Sequence, residues 1–121
     1  NPCQMTIDRR ALLGSVKRIL PFASESSQSI RLRLGIGQVE ASSEDIDFAT
    51  SAKETIVCDY NGTPMSIGFK GPSLVEILSS LTSDEVLMEL ADPSRPCLIF
   101  PSEQPEGQNI LMLIMPMLLN D

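Results

Sequence analysis

Two stretches about 60 residues apart decide how this chain folds: 5-MTIDRRALLGSVKRIL-20 and 65-MSIGFKGPSLVEILSSL-81. Each opens with apolar residues in alternation, Met5 and Ile7 in the first, Met65 and Ile67 in the second. A period of two marks a half-buried strand. Each then changes to helical spacing. Leu12, Val16, Ile19 and Leu20 fall on one face of the first helix, and Leu74, Ile77, Leu78 and Leu81 on one face of the second. Asp8 stands where a helix N-cap accepts an unpaired amide. Pro72 suits a first helical turn, where no N–H is needed.

Short strand-like runs follow each helix. After the first come SIRLRLG (29–35), QVEAS (38–42) and ETIVCDY (54–60); after the second come EVLMELA (85–91), PCLIFP (96–101) and NILMLIMPM (109–117). Turn signals separate them at Gly35-Ile36-Gly37, Asn61-Gly62, Asp92-Pro93 and Pro105-Glu106-Gly107. The order is β-α-β-β-β, repeated once over residues 3–60 and 63–119 of a single domain, 1–121. About eight strands with only two helices predict an α+β fold, with antiparallel sheet on one side and both helices on the other. Aromatic residues make up 4% of the chain, so the core has to be aliphatic.

The net charge of −7 argues against a surface that is basic overall. Yet six of the nine basic residues lie between Arg9 and Arg33. Opposite Leu12 the first helix presents Arg10, Gly14, Lys17 and Arg18. The second helix presents Ser73, Glu76, Ser79 and Ser80, with Lys70 just before it. Such a basic face is either ordinary solvated surface or a loose, sequence-independent contact for a phosphate backbone.

Catalysis finds little support. The chain has no histidine, and Glu44, Asp45 and Asp47 lie in a polar stretch without a partner pattern. Glycine-rich phosphate loops and a GxSxG nucleophile motif are missing. Cys3, Cys58 and Cys97 form no CxxC pair, so no metal or other cofactor is expected; free, buried thiols in a reducing cytoplasm are. The longest apolar run is ten residues, about half of what a membrane helix needs, so no membrane partner is expected. Asn1-Pro2, with no initiator Met, suggests a piece of a longer protein.

That apolar run, Ile110 to Leu119, lies almost at the end of the chain. A core strand buried on both faces explains Ile110 to about Ile114. It explains Met115-Pro116-Met117-Leu118-Leu119 less well, because proline cannot donate to a central ladder and pairing should end there or move to an edge. An apolar tail at the surface usually marks a binding site, and methionines suit one that accepts several partners.

MSIGF followed by a helix, then VLMELAD, then IMPM plus Leu, resembles the C-terminal third of the bacterial DNA polymerase III beta subunit, the sliding clamp. The likeness runs from the MTID-helix opening to the end of the chain. It implies a DNA-clamp fold and a non-catalytic processivity factor. Three such domains follow one another in a chain, and two chains close as a homodimer ring around duplex DNA. Helices line the hole, which would turn Arg10, Lys17, Arg18 and Lys70 toward DNA. The resemblance also implies a pocket for Gln-x-x-Leu-Phe peptides of the DNA polymerase III alpha subunit, the clamp loader, other polymerases and repair factors. The matching positions are Pro96, Leu113, Ile114, Met115, Pro116, Met117, Leu118 and Leu119. Ring closure falls to Pro21 and Phe22 with the neighbouring edge strand. The family often has a basic residue where Leu118 stands, and this chain continues to Asn120-Asp121. The acidic stretch near the ring interface is diluted to EDIDFATSAKE (44–54). As an isolated third domain, the chain is expected to be monomeric, with weak peptide affinity and negligible DNA binding. The alternative from another class is an oligomerisation module whose apolar tail is buried between subunits and which has no DNA role.

Overall fold

A computed structural model describes residues 3–92, 94–104 and 106–117. The elements run β1 (Cys3–Asp8), α1 (Arg9–Ile19), a single 3-10 turn (Leu20–Phe22), β2 (Ser29–Gly35), β3 (Gln38–Asp45), β4 (Thr50–Val57) and β5 (Asp59–Tyr60). Then follow β6 (Met65–Lys70), α2 (Gly71–Ser80), β7 (Glu85–Leu90), β8 (Cys97–Pro101) and β9 (Met112–Ile114). Apart from the two-residue β5, the order is β-α-β-β-β twice, as the spacing predicts.

The antiparallel layer is in two parts. One sheet has the order β5-β1-β7-β8-β9 and the other β4-β3-β2-β6. Each repeat lends its first strand to the sheet of the other. β1 pairs with β7, setting Met5 opposite Met88 and Ile7 opposite Val86. β6 pairs with β2, setting Ile67 opposite Leu32 and Phe69 opposite Ile30. The helix starts follow the same symmetry. The Arg9 amide donates to the Asp84 carbonyl at 2.8 Å, and the Gly71 amide to the Gln28 carbonyl at 2.8 Å. Neither repeat can complete a sheet alone, so the two halves form one cooperative unit.

The local signals act as expected. The Asp8 carboxylate accepts from the Ala11 amide at 2.8 Å and caps α1. Pro72 lies in the first turn of α2. One core joins both sheets and both helices: Leu12, Val16 and Ile19 of α1 and Leu74 and Leu78 of α2 pack with Met5, Leu32, Phe69, Val86 and Ile99. Burial of each such side chain contributes about 1.5–3 kcal/mol. Leu20 and Ile77, expected on the buried faces, are half-buried at their margins.

Two strands differ from the sequence expectation. ETIVCDY, read as one run, is divided at Cys58: β4 belongs to one sheet and β5 to the other. The Cys58 amide still follows the β3–β4 register, donating to the Gly37 carbonyl at 3.1 Å, and the chain joins the other sheet from Asp59 on. The last strand is also shorter than the apolar run. It spans three residues at a sheet edge, with Ile114 buried and Leu113 61% exposed, so it is not covered on both faces.

Candidate functional site

Three surface regions hold the candidate residues. On α1, Arg10, Lys17 and Arg18 are all exposed. Arg18 is engaged within the chain. Its Nε donates to Glu54 Oε2 at 2.8 Å and its Nη2 to Glu54 Oε1 at 2.7 Å. The Ser15 hydroxyl adds a bond to Glu54 Oε1 at 2.8 Å. Together, the Arg18 guanidinium first and Ser15 second, they lower the Glu54 carboxyl to about 2. A β-carbon at Gly14 would lie 3.1 Å from Arg18 Nη1, so the bare glycine leaves room for the guanidinium over the helix. Arg10 and Lys17 have no such partner on α1, and Lys70, exposed, stands sixty residues after Arg10 at the N-cap of α2.

The neighbouring Arg9 has a different role, which its sequence position does not reveal. It is 9% exposed. Its Nε donates to the Ser83 carbonyl at 2.7 Å and its Nη1 to the Leu78 carbonyl at 3.0 Å. It therefore caps the C-terminus of α2 from the other repeat, where carbonyls lack helical partners and a cation is favoured. The one available hint was its place in the first turn of α1, where a cation gains nothing from that helix's own dipole.

The second region is the tail. β8 and β9 pair through Cys97 with Ile114, Leu98 with Leu113 and Ile99 with Met112. Carried one residue further, this register sets exposed Pro96 opposite Met115, which is 59% exposed. Pairing with β8 stops before Pro116, as the missing donor requires. The chain then reaches the open edge of the other sheet, where the Met117 amide donates to the Gly68 carbonyl at 2.6 Å. Pro116 is the crossing point between the two sheets. Leu111, Leu113 and Met115 face outward, while Pro116 and Met117 are half-buried. Leu118 and Leu119 lie outside the described residues.

The third region is the end of α1. Pro21 is exposed and Phe22 is 43% exposed. The Phe22 carbonyl accepts from the Thr50 hydroxyl at 3.3 Å, which ties it to β4 at the edge of its sheet. Lys17 and Pro21 line one shallow depression of about 320 Å³ with Leu20 and Val75, so the first and third regions adjoin. Sequence reasoning missed Ile46 and Phe48, the latter 78% exposed, in the β3–β4 turn. A polar surrounding run hid them, although two large apolar residues in a turn are a signal in themselves.

All three thiols are free, but only Cys97 is buried as expected, Cys3 and Cys58 being half-buried. Burial pushes Cys97 up to about 12 and also raises Cys58. Among the described residues no three histidine, cysteine or acidic side chains gather as metal ligands. Among the described residues no helix is long and apolar enough to cross a membrane.

Comparison with known proteins gives a consistent result. The family model for the DNA polymerase III beta subunit, C-terminal domain, matches residues 2–118. The chain is 26% identical over 108 residues to the beta sliding clamp of Caulobacter vibrioides, covering 89% of this chain and 29% of that protein. It is 29% identical over 112 residues to the beta sliding clamp of Pseudomonas putida, covering 93% of this chain and 29% of that protein. The chain thus spans less than a third of the length of these relatives. Among solved structures, the sliding clamp of Pseudomonas aeruginosa superposes with a TM-score of 0.88 at 24% identity, over 97% of this chain and 31% of that one, which shows the shared fold.

Proposed function

Because this chain belongs to the DNA polymerase III beta subunit, C-terminal domain, family, we propose that it serves as one of the three domains in each subunit of a cytoplasmic, non-catalytic sliding clamp. In that role it is part of a homodimeric ring that encircles duplex DNA and tethers polymerases to it. The family match over residues 2–118 carries this reading. Arg10, Lys17 and Lys70 are the DNA-facing cations, with Arg18 contributing less because Glu54 already opposes its charge. Pro21 and Phe22, with the β4 edge, form the ring interface. Pro96, Leu113, Met115, Pro116 and Met117, with Leu118 and Leu119 beyond the described residues, are assigned to a pocket for Gln-x-x-Leu-Phe peptides of the polymerase alpha subunit, the clamp loader and repair factors; Ile114, buried, supports it from the core side. Such an arrangement needs no tight grip on DNA. Topological linkage keeps a bound polymerase at high effective concentration near the template.

Fluorescence anisotropy with a labelled duplex tests the DNA-facing assignment. This chain alone should bind weakly at about 50 mM salt and negligibly at about 150 mM, because phosphate contacts release counterions. Replacing Arg10 and Lys17 with alanine should remove the low-salt signal, and Arg18→Ala should change it little. Tight binding that survives about 150 mM salt would overturn the loose-contact mechanism.

A further inference from the structure

The exposed side chain of Gln104 performs a backbone task. Its Oε1 accepts from the Ile110 amide at 2.7 Å, and its Nε2 donates to the Ile110 carbonyl at 3.1 Å. A primary amide bonded to both groups of one residue reproduces what a neighbouring strand supplies. The β8–β9 register explains why a substitute is needed. Cys97 pairs with Ile114 and Ile99 with Met112, so the same register sets Pro101 opposite Ile110. Pro101 has no N–H to give and the ladder ends short of it.

We propose that Gln104 is a positioning residue for β9 and the apolar tail, its amide taking the ladder place that Pro101 cannot fill. β9 has only three paired residues, so it is too short to be held by β8 alone. It is held at three places: at Ile110 by Gln104, along β8, and beyond Pro116 by the Met117–Gly68 bond. Leu113 and Met115 are presented outward between these anchors. Gln104 thereby sets the shape of the surface assigned above to peptide binding, and that part of the proposal rests on the peptide-pocket assignment.

Gln104→Ala and Gln104→Glu separate the possibilities in this chain. Amide hydrogen exchange, read by NMR, reports on the tail without any ligand. In Gln104→Ala, exchange at Ile110 and Met112 should quicken about two- to fivefold, as expected for solvent-exposed hydrogen bonds, while Met5 in β1 should be unchanged. Gln104→Glu should lie between Gln104→Ala and wild type at pH 7, where the carboxylate still accepts from the Ile110 amide but cannot donate to the Ile110 carbonyl. It should return toward wild type, compared at the same pH, near pH 3.5, where a glutamic acid with an ordinary pKa of about 4.3 is protonated. A Gln-x-x-Leu-Phe peptide should bind Gln104→Ala about two- to fivefold more weakly. Unchanged exchange at Ile110, or exchange quickened equally in β1, would overturn the positioning role. Local loosening with unchanged peptide affinity would overturn its link to the pocket. If wild type binds no peptide, the pocket assignment fails, and the exchange data alone decide whether Gln104 holds β9.

Discussion

Replacing Arg9 should destabilise the fold far more than replacing Arg10, its neighbour in the chain. Arg9 is 9% exposed and bonds two carbonyls, those of Leu78 and Ser83, at the C-terminal end of α2. Hydrogen bonds from a charged donor contribute roughly 1.5–3 kcal/mol each, and a buried acceptor left without a partner costs about 1–3 kcal/mol. Water reaching the new gap recovers part of this, so Arg9→Ala should cost about 2–4 kcal/mol. At about 3–5 °C per kcal/mol for a chain of this size, Tm should fall by roughly 6–20 °C. Arg10→Ala removes an exposed side chain with no structural partner on α1 and should stay within about 0.5 kcal/mol. Urea unfolding followed by circular dichroism measures both. Arg9→Lys provides an internal check, because an ammonium can replace one bond of the fork but not its planar geometry, and should fall between the two. Equal, small losses from Arg9→Ala and Arg10→Ala would refute the capping role and return Arg9 to the exposed basic face.

Three other perturbations follow from the geometry. Glu54 titrates at about 2 in the folded chain, below its ordinary 4.5, so its contribution to stability is full above pH 4.5 and is lost as pH falls toward 2. Glu54→Gln should flatten acid unfolding in that window, and an unchanged acid limb would contradict the ion pair. Ala49 is held at φ +53° in the β3–β4 turn, where glycine is at ease, so Ala49→Gly should raise stability by about 0.5–1 kcal/mol in the same urea assay; a loss would contradict the strain. Cys97, with its thiol pushed up to about 12, should resist iodoacetamide at pH 8 until the chain unfolds, and rapid native labelling, located by mass spectrometry, would contradict its burial.

Much of the architecture is legible in the sequence, because strands and helices announce themselves by local period. The matching openings at Met5 and Met65, the Asp8 cap and the Pro72 start all depend on nearest neighbours along the chain. The exchange of β1 and β6 between repeats depends on pairing between residues far apart in the chain, as between Cys3 and Leu90 or Ile30 and Phe69, and no local pattern encodes it. The same limit hides the site's internal partners. Arg9 and Arg10 are identical in type and adjacent, and only the arrival of α2 makes one a cap. Arg18 looks like a free cation until β4 brings Glu54 beside it, 36 residues away. In the tail, a uniformly apolar run conceals its own alternation, so Leu113 and Ile114 look equivalent although one faces out and the other in. Pro116 is the exception, since the missing donor shows in sequence where the ladder must end.

The most direct measurement is an NMR titration of the methyl groups of Met112, Met115 and Met117 with a Gln-x-x-Leu-Phe peptide, beside a control peptide with Gln, Leu and Phe replaced by alanine. Weak but saturable shifts at these methyls and near Pro96, absent with the control, are the predicted result. Shifts that are absent at millimolar peptide, both here and in a longer chain that includes the preceding clamp domain, would contradict the assignment of the tail as a peptide pocket.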